Sequence, residues 1–299
     1  MLEVHEGGPG QLPWAVAIAP DEAETRRLIA DLRAPASLLE HALDRDELPR
    51  LDRDGDTVLA VLRVPHRNPR DETRPYGTEV VAVLLTAAAT VIVAREELAI
   101  VRQLGEWIHG QPGASRERLL SRALHLVAAA FMAEVRHVDV VVDRLEDRLQ
   151  RSMENREVLA LLKCQKGLVF FSTALESTVL AIERLLHAAP KMQQEDQELF
   201  ADALVEIRQA LSMSRMSANV LGEMMDAFAS IISNNLNVVM KLLASITIVL
   251  TLPATVASFY GMNVGLPGAR SPLAFVGLVG GSIVVSIAVA LVFRRRRWL

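Results

Sequence analysis

A recurring set of side chains lies along one long apolar segment near the C-terminal end of the sequence. Most members are polar or small, and the full set is Asn237, Met240, Leu243, Thr247, Thr251, Ala254 and Ser258. Steps of three or four residues place side chains on one face of a helix. Polar groups at membrane depth usually face a cavity or a partner, so several copies of this face around an axis would line a water-filled path.

The hydroxyl groups of this face also have a simpler interpretation. Serine and threonine in helices often donate a hydrogen bond to the carbonyl group of the preceding turn of their own helix. That bond accounts for Thr247 or Thr251 taken singly. It does not account for a continuous series that includes Asn237 and that Asp226 extends toward the N-terminus. We therefore favour a water-filled path lined by this face.

Two uncharged stretches could form the helices that carry such a path across a membrane. They are residues 242–260 and 273–293, of 19 and 21 residues, and a hydrocarbon core about 30 Å thick needs roughly 20 helical residues. Three glycines and two prolines lie between them in twelve residues, which predicts a hairpin with a short outer loop. Lys241 precedes the first stretch and Arg294 to Arg297 follow the second, so positive charge predicts that both chain ends lie in the cytoplasm.

Charge is distributed unevenly along the 299 residues. All 36 acidic residues lie at or before Asp226 and, with 26 basic residues, give this part a formal charge of −10, whereas the last 73 residues carry +6. An acidic soluble part lacks the basic surface of a nucleic-acid-binding protein. The single cysteine, Cys164, excludes an internal disulfide. There is no nucleotide-binding motif and no secretory signal pattern, so we expect a cytoplasmic body that binds no nucleotide.

The sequence before the membrane stretches predicts a mixed α/β domain followed by long helices. Strands are predicted at residues 14–19, 48–51, 57–64, 79–85 and 90–94, with helices at 21–32, 36–43 and 98–107. An Asp-Gly step within residues 52–56 predicts a hairpin turn. Long antiparallel helices are predicted at 115–152, 156–187 and 193–260, the last about 100 Å long. The predicted domains are an α/β domain (1–110), a long-helix region with a stalk helix (111–236) and a two-span pore domain (237–299).

The outer end of the first span carries the sequence Tyr260-Gly261-Met262-Asn263. With a very long helix before it, a second span after it and a basic C-terminal end, this motif resembles the CorA family of divalent-cation transporters. The resemblance covers the whole chain. A simple helix C-cap would account for Gly261 and leave Asn263 unexplained, so the tripeptide in this position is a specific signal.

The resemblance implies a homopentamer in a lipid bilayer whose five first spans line the pore. The implied outer selectivity ring consists of Gly261, Met262 and Asn263. The implied inner constriction consists of Asn237, Met240 and Leu243, with Thr251 as a further pore-facing position and Asp226 below the pore. Because Mg²⁺ gives up its water reluctantly, the amide oxygen of Asn263 and the carbonyl oxygen of Gly261 would contact a hydrated ion.

The identity of the ion stays open at this point. Residues 264–271 contain one arginine and no acid, which looks closer to the zinc-linked ZntB-like branch, whereas residues 237–241 and Met262 look like magnesium-transporting members. We expect an influx channel for Mg²⁺, with Zn²⁺, Co²⁺ or Ni²⁺ as other candidate ions, no permanently bound cofactor and no enzymatic activity. The alternatives are a Zn²⁺ transporter with or without proton coupling, and a non-conducting membrane-anchored helical scaffold or sensor.

Overall fold

The structure, a computed structural model, describes every residue except 7–12, 33, 55, 112, 153–154, 189–192, 263–264, 266–271, 297 and 299. The strands are β1 (Leu2–His5), β2 (Trp14–Ile18), β3 (Arg50–Asp54), β4 (Thr57–Arg67), β5 (Tyr76–Leu85) and β6 (Thr90–Ala94). The helices are α1 (Glu22–Leu32), α2 (Ala36–Leu43), α3 (Ala99–Gly110), α4 (Arg116–Ser152), α5 (Asn155–Ala188), α6 (Gln194–Tyr260) and α7 (Pro272–Arg295). The chain divides into two compact units, Met1–Glu223 and Met224–Leu299.

A six-stranded sheet forms the centre of the first unit, with the strand order β1-β2-β6-β5-β4-β3. Strands β2 and β6 are parallel, and every other neighbouring pair is antiparallel. Asp54 pairs with Thr57, so β3 and β4 form the hairpin that the Asp-Gly step predicts. Gly55 itself lies outside the described residues.

Helices cover both faces of this sheet, so the inner strands are apolar on both sides. On one face α1 and α2 pack against alternate strand residues, in a cluster that includes Leu28, Leu39, Leu59, Val61, Ala82 and Val93. Helices α4 and α5 pack against β4 and β5. Phe131 of α4 and Phe171 of α5 are fully buried and meet edge to face, with ring centroids 5.5 Å apart.

Helix α5 approaches β5 closely at Gly167. A Cβ atom added there would lie 2.4 Å from the Cβ atom of Tyr76, so no side chain fits without a shift. The neighbouring Cys164 is buried and hydrogen-bonds to Tyr76. Burial raises the pKa of the Cys164 thiol to about 11 and that of the Tyr76 hydroxyl to about 12. Cys164 therefore packs a helix against the sheet as a neutral thiol.

Polar contacts join the long helices within the first unit. His125 Nδ1 of α4 lies 2.9 Å from Glu206 Oε2 of α6. Ser121 Oγ of α4 donates a hydrogen bond to the Leu199 carbonyl of α6 at 3.1 Å. Between α5 and α6, Ser214 Oγ donates a hydrogen bond to the Leu168 carbonyl at 2.9 Å. The N-terminal part of α6 thus packs with α4 and α5 in the first unit, and its residues from Met224 onward belong to the second unit.

The predicted α/β architecture with long helices is confirmed, with differences at the sheet edges. The strand predicted at 48–51 lies at Arg50–Asp54, and the additional strand β1 was not predicted. Strand β1 holds only two aliphatic residues, Leu2 and Val4, and Val4 is exposed because the strand lies at an edge. An edge strand of this length carries too weak a periodic signal to be recognised.

Three helices in the described part are long and apolar enough to cross a membrane, namely α5, α6 and α7. In α5 the apolar window is 39% buried within the chain, since it packs on the sheet. The corresponding windows are 6% buried in α6 and 0% buried in α7. Apolar surface of that extent needs lipid or another chain to cover it.

Candidate ion pathway

One face of α6 in the second unit packs against α7. Ser245 is buried, and Val249, Leu252 and Val256 are half-buried, at steps of three or four residues. Ser286 Oγ of α7 donates a hydrogen bond to the Val249 carbonyl oxygen at 3.3 Å. We call this contact line the α6–α7 seam. On α7 its half-buried residues are Leu278, Ser282, Ser286, Val289, Ala290 and Phe293.

The side chains predicted to line an ion path lie on the other side of α6. At 3.6 residues per turn, the five positions from Leu243 to Ser258 centre about 180° from the seam. All five are exposed: Leu243, Thr247, Thr251, Ala254 and Ser258. Met240 and Leu243 are 56% and 58% exposed. We call this the open face of α6.

Asn237 and Asp226 lie further toward the N-terminus of α6 and are also exposed. Asn237 is within a quarter turn of the centre of the open face. Between Asn237 and Ser258 the helix rises about 30 Å, the thickness of a hydrocarbon core. The structure therefore brings the predicted residues onto one exposed surface of suitable length.

The threonine hydroxyls on the open face bond to their own helix. Thr247 Oγ1 donates to the Leu243 carbonyl at 2.9 Å, and Thr251 Oγ1 donates to the Thr247 carbonyl at 2.7 Å. The local bonding considered as the simpler interpretation is present. It uses the hydroxyl proton and leaves oxygen lone pairs directed away from that bond, which can accept hydrogen bonds from the water shell of a cation.

Helix α6 ends at Tyr260, directly before the glycine of the tripeptide. The Gly261 amide donates to the Ala257 and Ser258 carbonyls at 3.0 and 3.2 Å, and the Met262 amide donates to the Phe259 carbonyl at 3.3 Å. Atoms nearest to a Cβ added at Gly261 would be 3.5 Å away, so a side chain fits there within one chain. Met262 is 53% exposed. Asn263 lies outside the described residues.

Carboxylates contribute little to this site. Between Met224 and Leu299 the sequence contains one acid, Asp226. In the described ranges of the chain, no group of three or more His, Cys, Asp or Glu side chains lies close enough to hold a metal ion. The open face therefore offers neutral oxygens and apolar groups, which suit a hydrated ion in passage better than a tightly held one.

Helix α7 adds contacts that the sequence pattern did not reveal. Gly277 and Gly281 face open space, with nothing within 4 Å of an added Cβ, so they do not form the contact with α6. Trp298 stacks on Phe293 with ring centroids 5.5 Å apart. The bond from Ser286 to Val249 joins the two helices. In the sequence, this bond could have been suspected only from two features, namely a proline four residues after Val249 and a serine in the second span.

The fold and the open face define a membrane protein with a soluble α/β unit and a two-helix membrane hairpin. The family model described as "CorA-like Mg2+ transporter protein" matches residues 9–295, and the chain belongs to that family. Helices α6 and α7 accordingly span the cytoplasmic membrane, and both chain ends lie in the cytoplasm.

Among particular relatives, the cobalt/magnesium transport protein CorA of Methanocaldococcus jannaschii is 25% identical over 97% of this chain and 92% of its own length. Its complete structure has a TM-score of 0.85 at 23% identity, over 97% of this chain and 92% of that one. The full-length CmaX protein has a TM-score of 0.72 at 20% identity, covering 97% and 90% of the two chains.

The cytoplasmic domain of ZntB from Vibrio parahaemolyticus matches with a TM-score of 0.58 at 14% identity, covering 76% of this chain and 88% of its own. Likenesses at these identities establish a shared fold, and ion preference is a separate question because function lies in the site.

Proposed function

We propose that this protein conducts divalent cations, Mg²⁺ foremost, into the cell through a pore that several copies of α6 line. The observation that carries the proposal is the open face, which lies opposite the α6–α7 seam in a chain of a Mg²⁺ transporter family. A cobalt/magnesium transport protein is among its relatives, so Co²⁺ is a second expected ion, with Ni²⁺ and Zn²⁺ as further candidates.

The proposed assembly is a homopentamer in the bilayer. A single α6 with an exposed polar stripe gains nothing from lipid, whereas several copies around an axis turn the stripe into a hydrated lumen. Gly261 supports this arrangement, because its backbone is not in the left-handed region and a side chain would fit within one chain. In the proposed assembly, the absence of a side chain at Gly261 lets neighbouring chains approach closely at this turn.

Each group of residues has a proposed role along the path. At the outer end, Asn263 amide and Gly261 carbonyl oxygens accept hydrogen bonds from the water shell of the ion, with Met262 beside them. Neutral oxygens select without dehydrating Mg²⁺ and release it inward. The path continues along Ser258, Ala254, Thr251 and Thr247 to Leu243, Met240 and Asn237. Rings of Leu243 and Met240 close by excluding water, and Asp226 attracts cations at the cytosolic mouth.

The membrane potential is the proposed driving force. A negative interior of 100 mV contributes about 4.6 kcal/mol for a doubly charged ion, at about 2.3 kcal/mol per unit charge. We propose that transport uses no nucleotide, that the protein holds no permanently bound cofactor, and that it has no enzymatic activity. The α/β domain (1–110), the long-helix region (111–236) and the pore domain (237–299) are the proposed functional divisions.

A second candidate, Zn²⁺ transport, has support from the loop at 264–271, which contains an arginine and no acid to concentrate cations. Such Zn²⁺ transport would be proton-coupled if the inward flux of Zn²⁺ depended on a pH gradient.

The test is metal uptake by proteoliposomes containing the full-length protein, with Mg²⁺ or Zn²⁺, with and without a pH gradient. We expect Mg²⁺ uptake that needs no pH gradient and that falls at least tenfold in Asn263→Ala. The control is Asn219→Ala, an exposed asparagine of the first unit, which should transport normally. Zn²⁺ uptake that follows the pH gradient would favour the second candidate. No uptake of either ion would favour a non-conducting scaffold.

A further inference from the structure

Helix α6 contains a proline in the middle of its membrane stretch. Pro253 has no N–H group, so it cannot donate the helical hydrogen bond to the carbonyl oxygen of Val249, four residues earlier. Both residues lie within the uncharged segment 242–260. A carbonyl without a partner is costly in hydrocarbon, because no water is available to replace the missing donor.

A side chain of α7 supplies a donor at this carbonyl. Ser286 Oγ lies 3.3 Å from the Val249 oxygen and donates to it. In the membrane stretches of these two helices, five other hydroxyls follow the usual local pattern: Ser245, Thr247, Thr251, Thr255 and Ser282 each donate to the carbonyl four residues earlier in their own helix. The bond from Ser286 crosses between helices at the position where the proline leaves a gap.

The packing around this bond favours a close approach of the two backbones. Ser245 on α6 and Ser282 and Ala290 on α7 lie on the seam at nearby turns. Small side chains let membrane helices approach closely, which a bond from a short serine side chain to a main-chain oxygen requires. Gly277 and Gly281 lie away from this contact and do not contribute to the close approach. Ser286 forms the polar contact between the two helices beside Pro253.

We propose that Ser286 is a positioning residue for ion conduction. Its hydroxyl replaces the donor that Pro253 lacks, and thereby fixes the turn of α6 that carries Thr251 and Ala254 on the open face. Pro253 interrupts the hydrogen-bond ladder of α6 at this turn, so the bond from Ser286 acts where the helix lacks one of its own. The consequence for ion flux rests on the proposed function, whereas the bond and its effect on stability do not.

A double-mutant cycle tests the proposal with the full-length protein. The variants are Ser286→Ala, Pro253→Ala and the double variant, because alanine at 253 restores an N–H group for the Val249 carbonyl. Ser286→Ala should lower the Tm in detergent by about 2–4 °C and the rate of Mg²⁺ uptake about threefold. In the Pro253→Ala background the same change should alter neither quantity, because the carbonyl already has a donor.

Two further variants separate the hydroxyl from its surroundings. Ser282→Ala removes a half-buried hydroxyl one turn away on the same seam, but that hydroxyl serves its own helix at Leu278, so its Tm and uptake should stay near the parent values. Ser286→Thr keeps a hydroxyl and should retain more uptake than Ser286→Ala.

The outcomes distinguish this inference from the proposed function. Equal Tm losses with Ser286→Ala in both backgrounds, or an equal loss with Ser282→Ala, would overturn the role of the bond. Coupling in Tm without any coupling in uptake would overturn the positioning role. If the parent protein shows no uptake of any divalent ion, the proposed function fails, and the Tm cycle still decides whether Ser286 serves the Val249 carbonyl.

Discussion

Helices α5 and α6 are both long and apolar enough to cross a membrane, yet their surroundings differ. The apolar window of α5 is 39% buried within the chain against 6% for α6. Three charged residues interrupt the middle of α5, of which Lys166 and Glu176 are exposed and Lys163 is half-buried, whereas residues 242–260 of α6 contain no charge. The comparison teaches that a high apolar content shows only that a helix is shielded from water, and not what shields it. The spacing of charges shows whether the sheet or a bilayer covers it.

The two regions also satisfy polar groups differently. In the first unit, long side chains reach between elements: Arg116 donates to the Asp56 and Thr86 carbonyls, and Arg63 donates to Thr78 Oγ1. In the second unit, hydroxyls mostly serve their own helix, and Ser286 reaches across. The first unit is therefore held by its own contacts, while the open face of α6 depends on lipid or further copies of the chain.

The largest expected effect concerns the buried face of α5. Phe171 is fully buried against Phe131, so Phe171→Ala should destabilise the first unit by about 3–5 kcal/mol through a cavity. We expect a fall in Tm of about 10 °C, measured on the full-length protein in detergent. Val169 on the same helix is 52% exposed, and Val169→Ala should stay within about 0.5 kcal/mol. Similar losses for both variants would contradict the burial of α5 on the sheet.

A smaller effect follows from the neutral thiol beneath α5. Burial raises the pKa of Cys164 to about 11, whereas an unfolded cysteine ionises near 8.5. As the pH rises from about 8.5 toward 11, the unfolded chain loses this proton first and is favoured, so the stability contribution present at lower pH is lost. We expect the Tm to fall between pH 8 and pH 10.

Cys164→Ala provides the comparison for that pH dependence. Without the thiol, the Tm should fall less steeply over the same interval. Some fall in Tm near pH 10 should remain, because burial also raises the pKa of Tyr76, to about 12. An unchanged slope would mean that Cys164 ionises in the folded state as readily as in the unfolded one.

Most of the fold could be predicted from sequence because its elements are long or strongly apolar. The bounds of α2, α4 and α5 follow from helical periodicity, and those of β6 follow from its uniform apolar run. The edge strand β1 could not be predicted, since its pairing with β2 is a tertiary contact between residues that carry little pattern of their own. Tertiary packing decides such cases, and local propensity does not.

The candidate site divides in the same way. The open face of α6 could be predicted because a helical period of 3.6 residues fixes which side chains share a side. The bond between Ser286 and Val249 could not, since it depends on how two helices are placed against each other. The role of Asn263 stays a prediction, as this residue lies outside the described part of the chain.

The smallest expected effect tests whether the open face differs from a lipid-facing one. Leu242 and Leu243 are adjacent, 42% and 58% exposed, and about 100° apart around α6. If Leu243 forms an apolar ring in the pore, Leu243→Ala widens the constriction and lowers the barrier to wetting, so Mg²⁺ uptake should rise about threefold. Leu242→Ala removes the same atoms outside the open face and should leave uptake unchanged.

Comparing the two variants separates conduction from stability, because each loses one exposed leucine and neither opens a cavity within the chain. Uptake should be measured in proteoliposomes at equal protein content, with Tm as the check on folding. Equal changes in uptake for both would mean that the two leucines share one environment, so the side of α6 opposite the seam would not be the ion path. A rise confined to Leu243→Ala places the constriction on the open face, where Met240 one turn earlier is the next residue to test.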